Sequence, residues 1–138
     1  MTNVEIVRAA YEGMLTGEME PMIALLGTDI EWYSAEHNPT GGVHVGRDAV
    51  VRDLFGRLPE VWDGFECTPM RFHDAGDSVI VEARYTATSR ETGRKLDAQA
   101  CHVWNLSDGT AVSFRQYTDT AQFLAALDLG LATVAGGS

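Results

Sequence analysis

At 138 residues, 45% of them hydrophobic and 22% charged, the chain has the length and balance of one soluble globular domain. Twenty acidic against ten basic residues leave a formal net charge of −10, which argues against nucleic acid and membrane as partners, because both need a basic face to neutralise phosphate. No apolar run approaches the ~20 residues of a membrane span, and the N-terminal MTNVEIVRAA lacks the basic-then-apolar pattern of a secretion signal, so a cytoplasmic location is expected.

Thr2 and Glu5 have capping-box spacing, and Val4, Val7, Tyr11 and Met14 follow at helical intervals. A first helix is expected over residues 3–16, ended by Gly17. Pro21 opens a short second helix whose apolar face is Met22, Ile23, Leu25 and Leu26 and whose end is Gly27. Residues 29–35 read as a strand, and 36–46, with Pro39 and three glycines, as a loop. A third helix over 47–57 carries Val50, Val51, Leu54, Phe55 and Leu58 as its apolar stripe, and Pro59 stops it.

The second half changes from a period of 3.6 to a period of 2. Phe65 and Cys67 share a face, and past Pro69 the apolar positions move to Met70 and Phe72, which suggests a bulge or an edge. Val79, Val81, Ala83, Tyr85 and Ala87 alternate with polar residues as a half-buried antiparallel strand. RETGR is a turn, KLDAQACHVWNL a third strand of this set, SDGT a hairpin turn and AVSFRQYTD a fourth strand. Asp119 can cap a last helix through Phe123, Leu124 and Leu127. One domain is expected over 1–131, with a disordered tail over 132–138. The order is that of an α+β protein, with helices on one face of a bent antiparallel sheet.

Chemistry is sparse. His37, His44, His73 and His102 show no metal-ligand spacing, and no phosphate loop or nucleophile elbow is present. No metal or cofactor is therefore expected. Cys67 and Cys101 read as small buried hydrophobes rather than a disulfide.

The runs IEWYSAE, GGVHVGRDAV and YTATSRETGRKLDAQACHVWNLSDGTAVSFRQYTDT resemble the SnoaL-like family of the nuclear transport factor 2-like superfamily, which includes ketosteroid isomerase, polyketide cyclases and limonene epoxide hydrolase. The resemblance covers nearly the whole chain. It implies a cone-shaped α+β barrel enclosing an apolar cavity, and a homodimer through the outer sheet face. It also implies three isomerase positions, a tyrosine, a carboxylate base and a protonated aspartic acid. These fall on Tyr11, Trp32 and Cys101. An indole cannot take a proton and a thiol is a weak donor, so steroid isomerase activity is not expected.

Strand alternation puts Trp32 and Ser34 on one side of the early strand, with Glu36 to follow. Cys101 shares a face with Asp97, Gln99 and Val103; Leu96, Ala98, Ala100, His102 and Trp104 share the other. By the resemblance, Phe114 and Gln116 point inward. The expected substrate-binding residues are thus Trp32, Ser34, Gln99, Cys101, Phe114 and Gln116. His102, Trp104, Arg115 and Tyr117 are expected on the outer face, as dimer contacts.

For catalysis, Glu36 reads as a base at the cavity mouth or as a solvated loop residue, and His37 as an acid, base or gate or as an exposed histidine. Tyr11 reads as core or as a hydroxyl turned to the cavity. Asp97 is expected to pair with Arg84 or Lys95. The functional expectation is a cofactor-independent acid/base enzyme of the cyclase or isomerase type acting on a hydrophobic carbonyl compound. The alternatives are a non-catalytic small-molecule pocket and an epoxide-hydrolase-like activity, which would pair carboxylates with an arginine.

Overall fold

The computed structural model describes residues 1–35 and 42–129 of the chain. Helix α1 spans Asn3–Leu15. The expected capping box forms at its start: the Glu5 N–H donates to Thr2 Oγ1 at 3.2 Å, and the Thr2 N–H donates to Glu5 Oε1 at 3.0 Å. Gly17, at φ +83°, takes the left-handed turn that leaves it. Helix α2, Glu20–Leu25, carries Pro21 in its first turn, where the missing N–H costs no helical bond. Leu26 is already extended, so strand β1 runs Leu26–Tyr33 and starts before Gly27 rather than after it.

Two expectations need correction. Residues 43–45, read as loop, form strand β2 (Val43–Val45), paired antiparallel to β1. It is too short to show a period, and Val43 and Val45 are exposed. The single helix over 47–57 is instead α3, Arg47–Ala49, running into a π-helical segment, Val50–Phe55. Pro59 does not stop it. Pro59 lies in the first turn of a further helix, α4, Leu58–Val61.

Four antiparallel strands follow: β3 Trp62–Ala75, β4 Ser78–Ser89, β5 Lys95–Ser107 and β6 Thr110–Thr118. The phase switch at Pro69 is a register shift between Pro69 and Arg71 opposite β4. Met70 is the extra residue. It is exposed, so only Phe72 rejoins the packed face. In SDGT both Asp108 (φ 51°) and Gly109 (φ 76°) are left-handed, as a two-residue hairpin turn requires. Helix α5, Thr120–Ala126, has Asp119 at its cap position, but the Asp119 side chain makes no capping bond.

The six strands form one sheet in the order β2-β1-β6-β5-β4-β3, with β1 and β6 parallel and the rest antiparallel. Helices pack over its inner face, giving the α+β architecture expected. The core joins Val7, Ala10 and Tyr11 of α1 with Met22 and Leu25 of α2 and the inner residues of β4, β5 and β6. Burying each full-sized apolar side chain contributes about 1.5–3 kcal/mol. Among the described residues, no helix is long and apolar enough to cross a membrane.

Candidate functional site

The register of three neighbouring strands builds one wall of the site. Trp32 on β1 lies opposite Phe114 on β6, which lies opposite Trp104 on β5. The Trp32 and Phe114 rings stack at 3.6 Å between centroids, and Trp104 meets Phe114 edge-on at 4.6 Å. On β4 and β5 the inner residues between the large rings are small: Ala83 pairs with Ala100, and Tyr85 with Ala98. Those alanines leave the Tyr85 ring room to lean towards His102. The strands and helices thereby form a cavity of about 60 Å³. It is a narrow slot with an open mouth.

Trp32, Ser34, Phe55, Phe65, Leu58 and Phe114 supply much of its lining, with Tyr11, Tyr85, His102 and Gln116 as the hydrogen-bonding part. The polar groups form one chain. The Trp104 indole N–H donates to the Tyr11 hydroxyl at 2.8 Å. The Tyr11 hydroxyl meets His102 Nδ1 at 2.5 Å, and Tyr85 meets His102 Nε2 at 2.5 Å. Gln116 Nε2 donates to the Tyr85 hydroxyl at 2.8 Å, and Gln116 Oε1 accepts the Ala35 N–H at 3.0 Å. Burial pushes the His102 imidazole down to about 3, so it is neutral at physiological pH. Burial raises both phenols well above the usual tyrosine range, with Cys67 adding to it. The Cys67 thiol is itself pushed up to about 12 by burial, which leaves it protonated and unreactive.

Of the residues singled out from sequence, Tyr11, Trp32, Ser34, Phe114 and Gln116 all line this cavity. Gln99 and Cys101 do not. They lie on the outer face of β5, along a shallow groove with His73, Glu82 and Tyr117. The phase of β5 is set by its apolar set, Leu96, Ala98, Ala100, His102 and Trp104, every one of which is buried. His102 and Trp104 are accordingly inside and cannot be outer-face dimer contacts; Arg115 and Tyr117 are exposed. Asp97 pairs with Arg84, Nε to Oδ1 at 2.6 Å, as expected. The cysteines stay free, Cys67 in the cavity wall and Cys101 outside. Glu36 and His37 lie outside the described residues.

Tyr85 and inward His102 are the site residues that sequence reasoning missed. The signal was available for both. Each sits in an apolar alternation with a polar tip, and a buried polar tip needs a partner.

A family profile described as a SnoaL-like domain matches residues 7–114. An NTF2-like protein from Burkholderia thailandensis is 35% identical, with a TM-score of 0.88 over 92% of this chain and 98% of that one. TerC, co-crystallised with polyporic acid, is 26% identical, with a TM-score of 0.80 over 91% of this chain and 98% of that one. A protein with a ketosteroid isomerase-like fold from Catenulispora acidiphila, in complex with trimethylamine, is 19% identical, with a TM-score of 0.76 over 94% of this chain and 97% of that one, and shows likeness of fold alone. No curated protein matches the chain.

Proposed function

The chain belongs to the SnoaL-like family, and from that premise we propose that its cavity takes a hydrophobic, carbonyl-bearing small molecule and that the protein is a cofactor-independent acid/base enzyme of the cyclase or isomerase type. The observation that carries this reading is the buried Tyr11–His102–Tyr85 chain inside an otherwise largely apolar, aromatic slot. A neutral phenol O–H in a dry site is a strong donor to the oxygen of an enolising ketone, where negative charge develops. The co-crystallisation of TerC with polyporic acid supports an organic ligand in this fold. The base is Glu36 or His37, which follow Ser34 in the chain by two and three residues.

The test is deuterium exchange into a panel of cyclic and aryl ketones. Exchange should fall more than about tenfold in Tyr85→Phe, and to background in whichever of Glu36→Gln and His37→Asn removes the base. Exchange unchanged in all three rules out this assignment. A second reading, a non-catalytic binding pocket, is favoured by one observation: the described lining residues include no carboxylate, lysine or arginine. The same composition gives an epoxide-hydrolase pairing of carboxylate with arginine no support. Binding without exchange would establish the second reading.

The reading includes a homodimer through the outer sheet face, supported by exposed Met70 and Tyr117 beside the groove there. Sedimentation should show a dimer that Tyr117→Glu weakens; a monomer at all concentrations would refute it.

A further inference from the structure

The hydrogen-bonding capacity of the cavity wall follows from counting protons. The Trp104 N–H can only donate, and it donates to the Tyr11 oxygen. The Ala35 N–H can only donate, so it fixes Gln116 Oε1 as acceptor and turns Gln116 Nε2 to the Tyr85 oxygen. Between the phenols, a neutral His102 carries one N–H and one lone pair. Tyr11, His102 and Tyr85 therefore hold three protons, and the two contacts among them use two.

With the His102 proton on Nε2, Nε2 donates to Tyr85 and Tyr11 donates to Nδ1. The Tyr85 proton is then uncommitted. With the proton on Nδ1 the two tyrosines exchange roles. In both tautomers the phenol with the uncommitted proton already accepts two bonds, so it can only donate. The other phenol gives its proton to His102 and accepts one bond, so it keeps one open lone pair. No further described group bonds either phenol oxygen. Both tyrosines face the cavity, so this donor and this acceptor are open to a molecule inside it.

Resting on the reading of this cavity as a ligand site, we infer that its wall presents one hydrogen-bond donor and one acceptor whose places interchange with the His102 tautomer, and that its ligand is an uncharged ring compound pairing a carbonyl with a hydroxyl. The carbonyl accepts from one tyrosine while the hydroxyl donates to the other, and the ligand fits in either orientation. A compound with acceptors alone can satisfy only the donor, and one with a hydroxyl alone only the acceptor.

The test is calorimetric titration of the unmodified protein with para-hydroxyacetophenone, para-methoxyacetophenone and para-ethylphenol. The hydroxyketone should bind about tenfold tighter than either of the others, the worth of one further buried hydrogen bond. In His102→Phe each tyrosine regains an uncommitted proton, and the preference over the methoxy ketone should shrink below about threefold. Equal affinities in the unmodified protein overturn the inference while leaving the cavity reading intact; binding by none of the probes overturns both. Nitrogen-15 spectra of the unmodified protein decide the matter even if His102→Phe fails to fold. At pH near 7 they should show one protonated and one unprotonated ring nitrogen on His102, with the balance between tautomers moved by the hydroxyketone. Two protonated nitrogens would contradict it.

Discussion

Each face of the sheet carries a hydrogen-bonded histidine, in different surroundings. Outside, Asp97 pairs with Arg84 and His73 with Glu82, each at 2.6 Å, with all four side chains at least 38% exposed. Water screens such pairs, and they contribute about 0–1 kcal/mol. Inside, His102 is 4% exposed and bonded at both ring nitrogens. There a partner cannot be replaced by bulk water, and leaving a buried group unpaired costs about 1–3 kcal/mol. Burial, more than residue identity, decides which histidine and which tyrosines can act on a ligand.

The largest effect expected from breaking this contrast is Trp104→Ala. It empties the space between Phe114 and Tyr11 and removes the donor to the Tyr11 hydroxyl, so it should cost about 3–5 kcal/mol in urea unfolding. Acid comes next. The folded-state value of His102, about 3, lies below its ordinary 6.5. As pH falls through 6.5 the unfolded chain takes a proton that the folded chain refuses. The His102 contribution is therefore complete above pH 6.5 and is lost progressively towards pH 3, by a few kcal/mol. Urea midpoints against pH should fall less steeply across that window in His102→Gln than in the unmodified protein; parallel slopes would show that His102 is not buried neutral. Tyr85→Phe, which strips a partner from His102 Nε2 and Gln116 Nε2, should cost about 1–3 kcal/mol. Smallest of all, Arg84→Ala on the outer face should change stability by less than about 1 kcal/mol and leave ligand affinity unaltered.

Most of the architecture was legible because it rests on period. The capping box of Thr2 and Glu5, the alternation from Val79 to Ala87, the turn at Asp108 and Gly109 and the bulge after Pro69 each have a local cause that the chain spells out. What was not legible had no local cause. Val43–Val45 is too short to show alternation and owes its strand to pairing with β1. Pro59 permits a helix start as readily as a stop, and the chain around it does not choose. The site was half legible. Trp32, Ser34, Phe114, Gln116 and Tyr11 follow from alternation and resemblance. The family position at Cys101 points the wrong face of β5 inward, whereas the run of Leu96, Ala98, Ala100 and Trp104 marks the buried face. With that phase restored, His102 faces Tyr11 and Tyr85, which lie 91 and 17 residues away in sequence. No spacing rule joins residues so far apart; the pairing of β4 with β5 and the packing of α1 over the sheet do.

We propose that this protein meets its ligand on the inner face and not in the outer groove. Histidine ring nitrogens on the two faces report on it side by side, His102 within and His73 outside. On titrating nitrogen-15-labelled protein with para-hydroxyacetophenone, the His102 nitrogens should shift saturably while those of His73 stay in place. Shifts at His73 with His102 unmoved would put the ligand in the outer groove and overturn the inner-face site.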